Sequence, residues 1–133
     1  MWLNVTFPQL LAGEDLALLA LRLVVATVFG ASGYFHLKDP VGRAKSVELS
    51  PAATIGLGAA EVLGSFGLAT GILIQPAALG LILLGLGAIQ RKAMKWKTGF
   101  WGDKASGWHY DLMLLSMNLV ILCTAGGRLL LRF

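Results

Sequence analysis

Apolar residues fill four long stretches of this chain, which are separated by short polar segments. The stretches cover about residues 16–35, 52–74, 77–95 and 108–126. A helix that crosses the hydrocarbon core of a bilayer needs about 20 such residues, at about 1.5 Å of rise per residue. The third stretch reaches residue 95 only if its terminal basic side chains extend towards water. The pattern predicts an all-α integral membrane protein with a single domain over residues 1–133.

Residues that start and stop helices stand between the stretches. Ser50-Pro51 is typical of a helix start, with a capping serine before a proline at the first helical position. Gln75-Pro76 predicts a tight connection between the second and third helices, and Gly126-Gly127 predicts the end of the fourth. Because short connections make successive helices antiparallel, we expect a four-helix bundle with up-down-up-down topology.

The composition favours a membrane protein over a soluble domain. Of the 133 residues, 56% are hydrophobic and 14% are charged, and the mean hydropathy is +0.74. A soluble domain typically has about 25% charged residues. The single cysteine, Cys123, excludes an internal disulfide, dithiol exchange within this chain and a cysteine-rich metal or iron–sulfur site.

The net charge of +4 is better explained by membrane orientation than by nucleic-acid binding. Basic residues are concentrated in the segments after the first and third stretches, whereas the opposite face has two. Since cytoplasmic loops are enriched in Lys and Arg, we expect both segments on the cytoplasmic side of the cell (inner) membrane and both termini outside. The eight basic residues of the two segments are Lys38, Arg43, Lys45, Arg91, Lys92, Lys95, Lys97 and Lys104, and the opposite two are Arg128 and Arg132.

Two ionisable residues, Arg22 and Glu61, lie inside the first and second apolar stretches. A charge at the centre of a span costs at least about 2.5–3.5 kcal/mol on insertion scales. Two compensating charges are cheaper than two isolated ones, so we predict that Arg22 and Glu61 form an ion pair or share a bound ligand. The pair has two interpretations: a structural clamp that fixes helix register, or the border of a binding site or proton path.

A second polar cluster is predicted on the cytoplasmic side. His36 and Lys38 follow the first helix, and the fourth begins with Trp108, His109, Tyr110 and Asp111. Histidine titrates near neutral pH, and Asp111 is a candidate to orient an imidazole or relay a proton. The alternative is an ordinary interfacial belt in which the aromatic side chains anchor helix ends. Two histidines without another soft ligand nearby make a weak case for haem or metal, so no metal site is expected.

Several segments together resemble the DoxX family. They are "GASGYFHLKDP" at the end of the first helix, "AAEVLGSFGLATG" in the second, "GFWGDKASGWHYDLMLL" before and within the fourth, and the closing "GGRLLL". The resemblance extends from about Leu16 to Leu131. Family members often continue the glycine pair with Arg and end in Ser-Leu-Asp, whereas this chain reads Arg128-Leu129-Leu130-Leu131-Arg132.

The resemblance implies a four-helix membrane protein associated with quinone-linked redox chemistry, since the family is named after a subunit of a thiosulfate:quinone oxidoreductase. By position, it implies that Arg22, Glu61, His109 and Asp111 correspond to polar residues of the family pattern. As candidate catalytic residues we take these four. As candidate quinone-binding residues we take Arg22, Glu61, His36, Trp108 and Tyr110.

The leading hypothesis is a membrane subunit that binds a quinone headgroup between its helices and helps to reduce it. Arg22 would polarise a carbonyl oxygen, and Glu61 or the His109–Asp111 pair would supply protons. Because the sequence has no evident flavin, haem or iron–sulfur motif, electrons would come from a redox partner subunit. The main alternative is a non-catalytic scaffold that holds other subunits through its glycine-rich faces. A third and weaker hypothesis is a small-solute or proton carrier, which would require a homo-oligomer.

Overall fold

The computed structural model describes residues 6–102 and 107–129, and most of these residues are helical. This confirms the predicted all-α class. A 3-10 turn over Pro8–Gly13 leads into the first of five α-helices, and the fourth helix continues into a π-helical turn over Arg91–Lys95. The helices are α1 (Glu14–Lys38), α2 (Pro40–Val47), α3 (Pro51–Thr70), α4 (Ile74–Gln90) and α5 (Trp108–Thr124).

Three helical segments within the described residues are long and apolar enough to cross a membrane. They are Pro8–Lys38, Pro51–Thr70 and Ile74–Lys95. Many large apolar side chains on them face outward, among them Leu63, Phe66 and Leu83, which are at least 60% exposed. Outward-facing apolar side chains on apolar helices indicate a lipid environment. α5 has 17 residues and is not among the three segments, so a fourth span and the up-down-up-down bundle stay predictions.

The helix boundaries differ from the predicted ones in two places. α3 ends at Thr70, with Gly71 in the left-handed conformation at φ 87°, and the turn to α4 is made before Pro76. Pro76 instead lies in the first turn of α4, where its missing N–H leaves no helical bond unmade. α2 was not predicted, because its eight residues mix apolar and polar types and are too few to show a clear apolar periodicity.

Local capping explains the connection between α1 and α3. The Asp39 carboxylate accepts a hydrogen bond from the Gly42 N–H at 3.2 Å, and Pro40 follows as the first residue of α2. The Ser50 hydroxyl accepts from the Ala53 N–H at 3.1 Å, which confirms the predicted cap of α3. Each cap satisfies a donor that a helix start leaves unpaired. The connection is thereby an ordered helical segment and not an open loop.

Glycine allows α1 and α3 to approach closely. A Cβ atom on Gly33 would lie 2.7 Å from the carbonyl oxygen of Gly58, and one on Gly58 would lie 2.8 Å from the Cβ of His36. Gly30 faces Ser65 in the same way, at 3.6 Å. The numbers rise along α1 as they fall along α3, so these two helices are antiparallel. Small residues at such crossings let helix backbones come together.

The helices form two close pairs, α1 with α3 and α4 with α5, and the two pairs touch less extensively. Their common core is made of apolar side chains that are at most 9% exposed: Val25, Ala26, Phe29, Leu68, Ile74, Ala78, Leu81, Leu114 and Ile121. We call the end where α1 and α4 finish, which carries His36, Arg43 and Lys92, the basic end. The opposite end, where α1 begins and α5 finishes, is the Arg22 end.

Candidate functional site

A cavity of about 430 Å³ lies between the two helix pairs at the basic end. Its inner wall is mainly apolar, and its outer wall carries charged and polar side chains from α1, α2, α3, α5 and the π turn after α4. The apolar residues are Val28, Phe29, Leu49, Leu57, Leu83, Leu84, Gly85, Gly87, Ala88 and Leu114, and the polar or aromatic ones are Ser32, His36, Arg43, Glu61, Arg91, Lys92, Trp96, Tyr110 and Asp111.

Glu61 is the deepest acidic group in this cavity. It is 5% exposed, and the hydroxyl of Ser32 on α1 is placed to donate to its carboxylate. The other carboxylate oxygen, Oε2, is buried and has no hydrogen-bond partner among the described residues. A buried polar atom without a partner is costly and calls for an explanation such as a bound molecule. Glu61 therefore offers an unpaired oxygen to whatever occupies the cavity, as an acceptor when it is ionised and as a donor when it is protonated.

His36 lies beside Glu61 and is 3% exposed. Its Nδ1 is 2.7 Å from the carbonyl oxygen of Ser32. A carbonyl oxygen only accepts hydrogen bonds, so Nδ1 carries a proton and donates it to this bond. In the neutral ring the remaining nitrogen, Nε2, is then an acceptor. The same turn of α1 thus positions both the histidine ring and the serine hydroxyl that contacts Glu61.

Basic and acidic side chains meet across the mouth of the cavity. Lys92 Nζ is 2.8 Å from Asp111 Oδ2, and both side chains are mostly buried. The same ammonium lies 5.6 Å from the ring centre of Tyr110, within the range of a cation–π contact. Arg43 from α2 is close enough to act electrostatically on both Glu61 and His36. The outer wall therefore combines hydrogen-bond donors from cations with carboxylate acceptors.

Arg22 does not take part in this cavity. It is fully buried at the Arg22 end, where it donates a hydrogen bond to the carbonyl oxygen of Leu129. Its Cδ would lie 2.6 Å from a Cβ on Gly126, which adopts φ 72° just after α5. Its Nε and Nη1 have no partner among the described residues. The guanidinium thus covers the backbone that follows α5 and lies on the far side of the core from the cavity.

The predicted Arg22–Glu61 pair is wrong, because the register of α1 and α3 separates the two residues. Glu61 lies opposite Gly33. Arg22 comes 11 positions before Gly33, which is about 16 Å along the helix axis. The first three turns of α1, which include Arg22, extend beyond the end of α3, so Arg22 reaches Gly126 and not α3. No salt bridge among the described residues joins the two, and one headgroup cannot span the separation.

A family comparison matches residues 17–102 to the DoxX model. The chain belongs to the DoxX family. Comparisons with curated proteins and with solved structures gave no significant match. The matched region of this DoxX chain includes Glu61, His36, Arg43 and Lys92, whereas Tyr110 and Asp111 follow it. Most of the polar wall of the cavity therefore lies within the part that identifies the family.

Four of the residues that the sequence singled out line the cavity of this DoxX chain: Glu61, His36, Tyr110 and Asp111. Trp108 and His109 are placed next to it. His109 Nδ1 is 2.7 Å from the carbonyl oxygen of Phe100, and the Phe100 ring lies 4.6 Å from the ring of Trp108. Both residues thus hold the segment before α5, and neither lines the cavity.

Sequence reasoning missed Ser32, Arg43, Lys92 and Trp96 as members of the cavity wall. Arg43 and Lys92 were counted only as charges that orient the chain in the membrane. The signal that could have found Ser32 is its position one turn before His36 and one residue before Gly33, on the α1 face that packs on α3. No comparable pattern exists for Arg43, since α2 itself was not predicted.

Proposed function

We propose that the chain is a membrane subunit of a quinone-linked oxidoreductase and that it binds the quinone headgroup in the cavity at the basic end. The observation that carries the proposal is Glu61, a buried acid in the wall of the cavity whose Oε2 has no hydrogen-bond partner among the described residues. Ionisable groups within membrane helices commonly mark functional sites. The DoxX family, which is often linked to quinone-associated oxidoreductases, gives independent support.

The cavity fits the chemistry of a quinone headgroup. Quinones have a flat apolar ring with polar oxygens on opposite edges, and sites for such ligands are mostly apolar with a few placed polar groups. Phe29, Leu57 and Leu114 supply the apolar surface. Glu61 on one side and Lys92–Asp111 on another supply hydrogen-bonding groups on different walls. A volume of about 430 Å³ lies within the ordinary range of small-molecule sites.

The polar residues have separate roles in this proposal. Reduction of a quinone to a quinol takes up two electrons and two protons, and the electrons come from a partner subunit. Glu61 in its protonated form donates a hydrogen bond through Oε2 to one oxygen of the headgroup and passes it that proton on reduction. His36 lies about one turn of α1 beyond Gly33, the residue that faces Glu61, so it relays protons to Glu61 from the aqueous side. Lys92, held by Asp111, donates to the other oxygen.

The proposal includes an arrangement in the membrane. α5 completes a four-helix bundle with up-down-up-down topology, and its terminal residues reach the interface with the aid of Trp108 and Tyr110. The basic end faces the cytoplasm and both termini lie outside the cell (inner) membrane. The antiparallel contact of Gly85 in α4 with Leu115 in α5 supports this topology, because α5 then starts beside the end of α4.

A direct test combines quinone analysis with one matched pair of variants. The protein is purified in mild detergent, and the extracted lipid is searched for quinone by mass spectrometry. We expect quinone in the native protein and at least about a tenfold loss of affinity in Glu61→Leu, since this variant lacks the buried donor and a buried hydrogen bond left unmade costs about 1–3 kcal/mol. Glu14→Leu is the control, because Glu14 is exposed in the first turn of α1, at the opposite end of the protein from the cavity.

The scaffold alternative gives a different result in the same experiment. If the native protein carries no quinone and binds none when it is added, while both variants remain folded, the oxidoreductase proposal fails. Part of the glycine-rich surface on which the scaffold depends is already used within the chain. Gly33, Gly58 and Gly64 contact the protein's own helices and are not available to another subunit.

A further inference from the structure

A second concavity lies on the outer face of α3 and α4, within the span of the apolar helices. It is a groove of about 600 Å³ with a floor of small residues. Leu63 and Leu73, which are 72% and 71% exposed, stand along its edges. We call it the α3–α4 groove, and it is lined by Ala60, Leu63, Gly64, Phe66, Gly67, Ile72, Leu73, Pro76, Ala77, Gly80, Leu81, Leu83 and Leu84.

The groove and the cavity share part of their lining. Leu83 and Leu84 of α4 line both of them. On α3, Ala60 lines the groove and the next residue, Glu61, lines the cavity. The two spaces therefore border the same segments of α3 and α4, and one of these segments carries Glu61 with its unpaired oxygen. A ligand held by Glu61 that also has an apolar extension would find the groove at the edge of its site.

The shape of the groove suits a long and narrow chain. From Leu84 to Leu73 it follows 11 positions of α4, about 16 Å along the axis. Two glycines in its lining, Gly64 and Gly80, have different surroundings. Gly64 is covered by the side chain of Leu81 at 3.1 Å, whereas a Cβ on Gly80 would meet nothing within 4 Å. Gly80 thus leaves open space in the groove that no other side chain fills.

Resting on the proposed function, we propose that the α3–α4 groove binds the prenyl tail of a lipid quinone whose headgroup occupies the cavity. The substrate class is then a membrane-resident prenylquinone and not a short water-soluble quinone. The tail lies along α4 in contact with Leu83, Gly80 and Ala77. Burial of this apolar chain against the protein adds selectivity that the headgroup contacts alone do not supply.

Three glycine variants test the proposal, and each introduces the same leucine side chain on an exposed helix surface. Gly80→Leu fills the groove. Gly87→Leu fills the mouth of the cavity, which Gly87 lines, and Gly56→Leu is the control because Gly56 lines neither space. A Cβ at any of the three positions meets nothing within 4 Å, so all three variants are expected to fold. Leucine is also a better helix former than glycine.

Binding is measured in detergent with a benzoquinone and a naphthoquinone series, each with no tail, a short prenyl tail and a long one. The readout is quenching of tryptophan fluorescence, to which Trp96 in the cavity wall contributes. We expect Gly80→Leu to lose about tenfold or more of its affinity for the long-tailed quinones relative to Gly56→Leu, and to keep its affinity for the tailless ones. Gly87→Leu is expected to weaken the binding of both the long-tailed and the tailless quinones.

The outcomes separate the inference from the proposed function. If no quinone of either series binds the native protein, both fail. If tailless quinones bind and Gly80→Leu lowers the affinity for tailless and long-tailed probes equally, or for neither, the tail assignment is overturned while the headgroup site stands. Oligomeric state is measured in parallel by light scattering. If Gly80→Leu dissociates an oligomer without changing the preference for a tail, the groove is a contact between copies and the inference is wrong.

Discussion

Arg22 and Glu61 are both buried, at 0% and 5% exposure, yet their surroundings differ at every level. Arg22 donates through one nitrogen to a backbone carbonyl and packs against Gly126, while its Nε and Nη1 have no partner among the described residues. It lines neither the cavity nor the α3–α4 groove. Glu61 has only one oxygen engaged by the protein, and the other borders a cavity. The comparison shows that a charged residue inside an apolar helix needs a partner, but the sequence position does not reveal whether that partner is the chain itself or a ligand. At one end the partner is the chain itself, and at the other we infer a ligand.

The largest expected effect is on stability, at the Arg22 end. Arg22→Leu removes the donor to Leu129 and leaves space beside Gly126, so we expect a loss of about 2–4 kcal/mol in the free energy of unfolding. Quinone binding by the fraction that remains folded should be unchanged. Thermal denaturation followed by fluorescence-detected size exclusion measures the first, and quinone content per folded protein measures the second. An Arg22→Leu protein that is as stable as the native protein but carries no quinone would contradict the assignment of a structural role to Arg22.

A smaller loss is expected from Gly126→Ala. Gly126 has φ 72°, which disfavours a side chain, and a Cβ there would lie 2.6 Å from Arg22 Cδ. We expect a destabilisation of about 1–3 kcal/mol. Gly56→Ala is the matched control, because this helical glycine has open space around it and should gain about 0.5–1 kcal/mol. Equal effects of the two substitutions on the melting temperature would show that the contact of Arg22 with the turn is unimportant.

The smallest effect concerns an exposed charge pair at the basic end. Glu48, just after α2, lies 3.0 Å from Lys95 in the π turn after α4. The hydrogen bond from the Lys95 ammonium holds the pKa of Glu48 below its ordinary value of 4.5. The contact therefore stabilises the folded protein above about pH 4.5 and is lost as the pH falls through the lowered pKa.

This prediction is checked by an NMR titration of the Glu48 carboxyl at low and high salt. Because the pair is about half exposed, salt should screen it and bring the pKa back towards 4.5. Lys95→Met should have the same effect at low salt. A pKa of Glu48 that is unmoved by salt and by the substitution would mean that the two side chains are not in contact in solution.

Much of the fold could be predicted from the sequence because its signals are local. The apolar stretches, the Ser50 cap and the glycines after α5 each act within a few residues, and all appear in the structure. The register of α1 against α3 could not be predicted in the same way. It depends on which glycines approach each other across the helices, here Gly33 and Gly58, and several such pairings were open.

The candidate site was predicted in part for the same reason. Glu61, His36, Tyr110 and Asp111 stood out as ionisable or polar residues near apolar stretches, and the structure brings them to one cavity. Arg22 stood out equally, and only the register of α1 places it elsewhere. Arg43 escaped notice because it reaches the cavity from α2, a helix whose sequence carries no apolar period.

The central claim is that a quinone headgroup binds at the basic end, beside Glu61, and not at the Arg22 end. The most direct measurement is photoaffinity labelling in membranes with a prenylquinone that carries a diazirine on its headgroup, followed by peptide mapping. We predict that the label is found on cavity residues such as Trp96, Tyr110 and Leu114, and that Glu61→Leu reduces it while Glu14→Leu does not. Labelling concentrated on Leu18, Gly126 and Leu129, around Arg22, would contradict the claim.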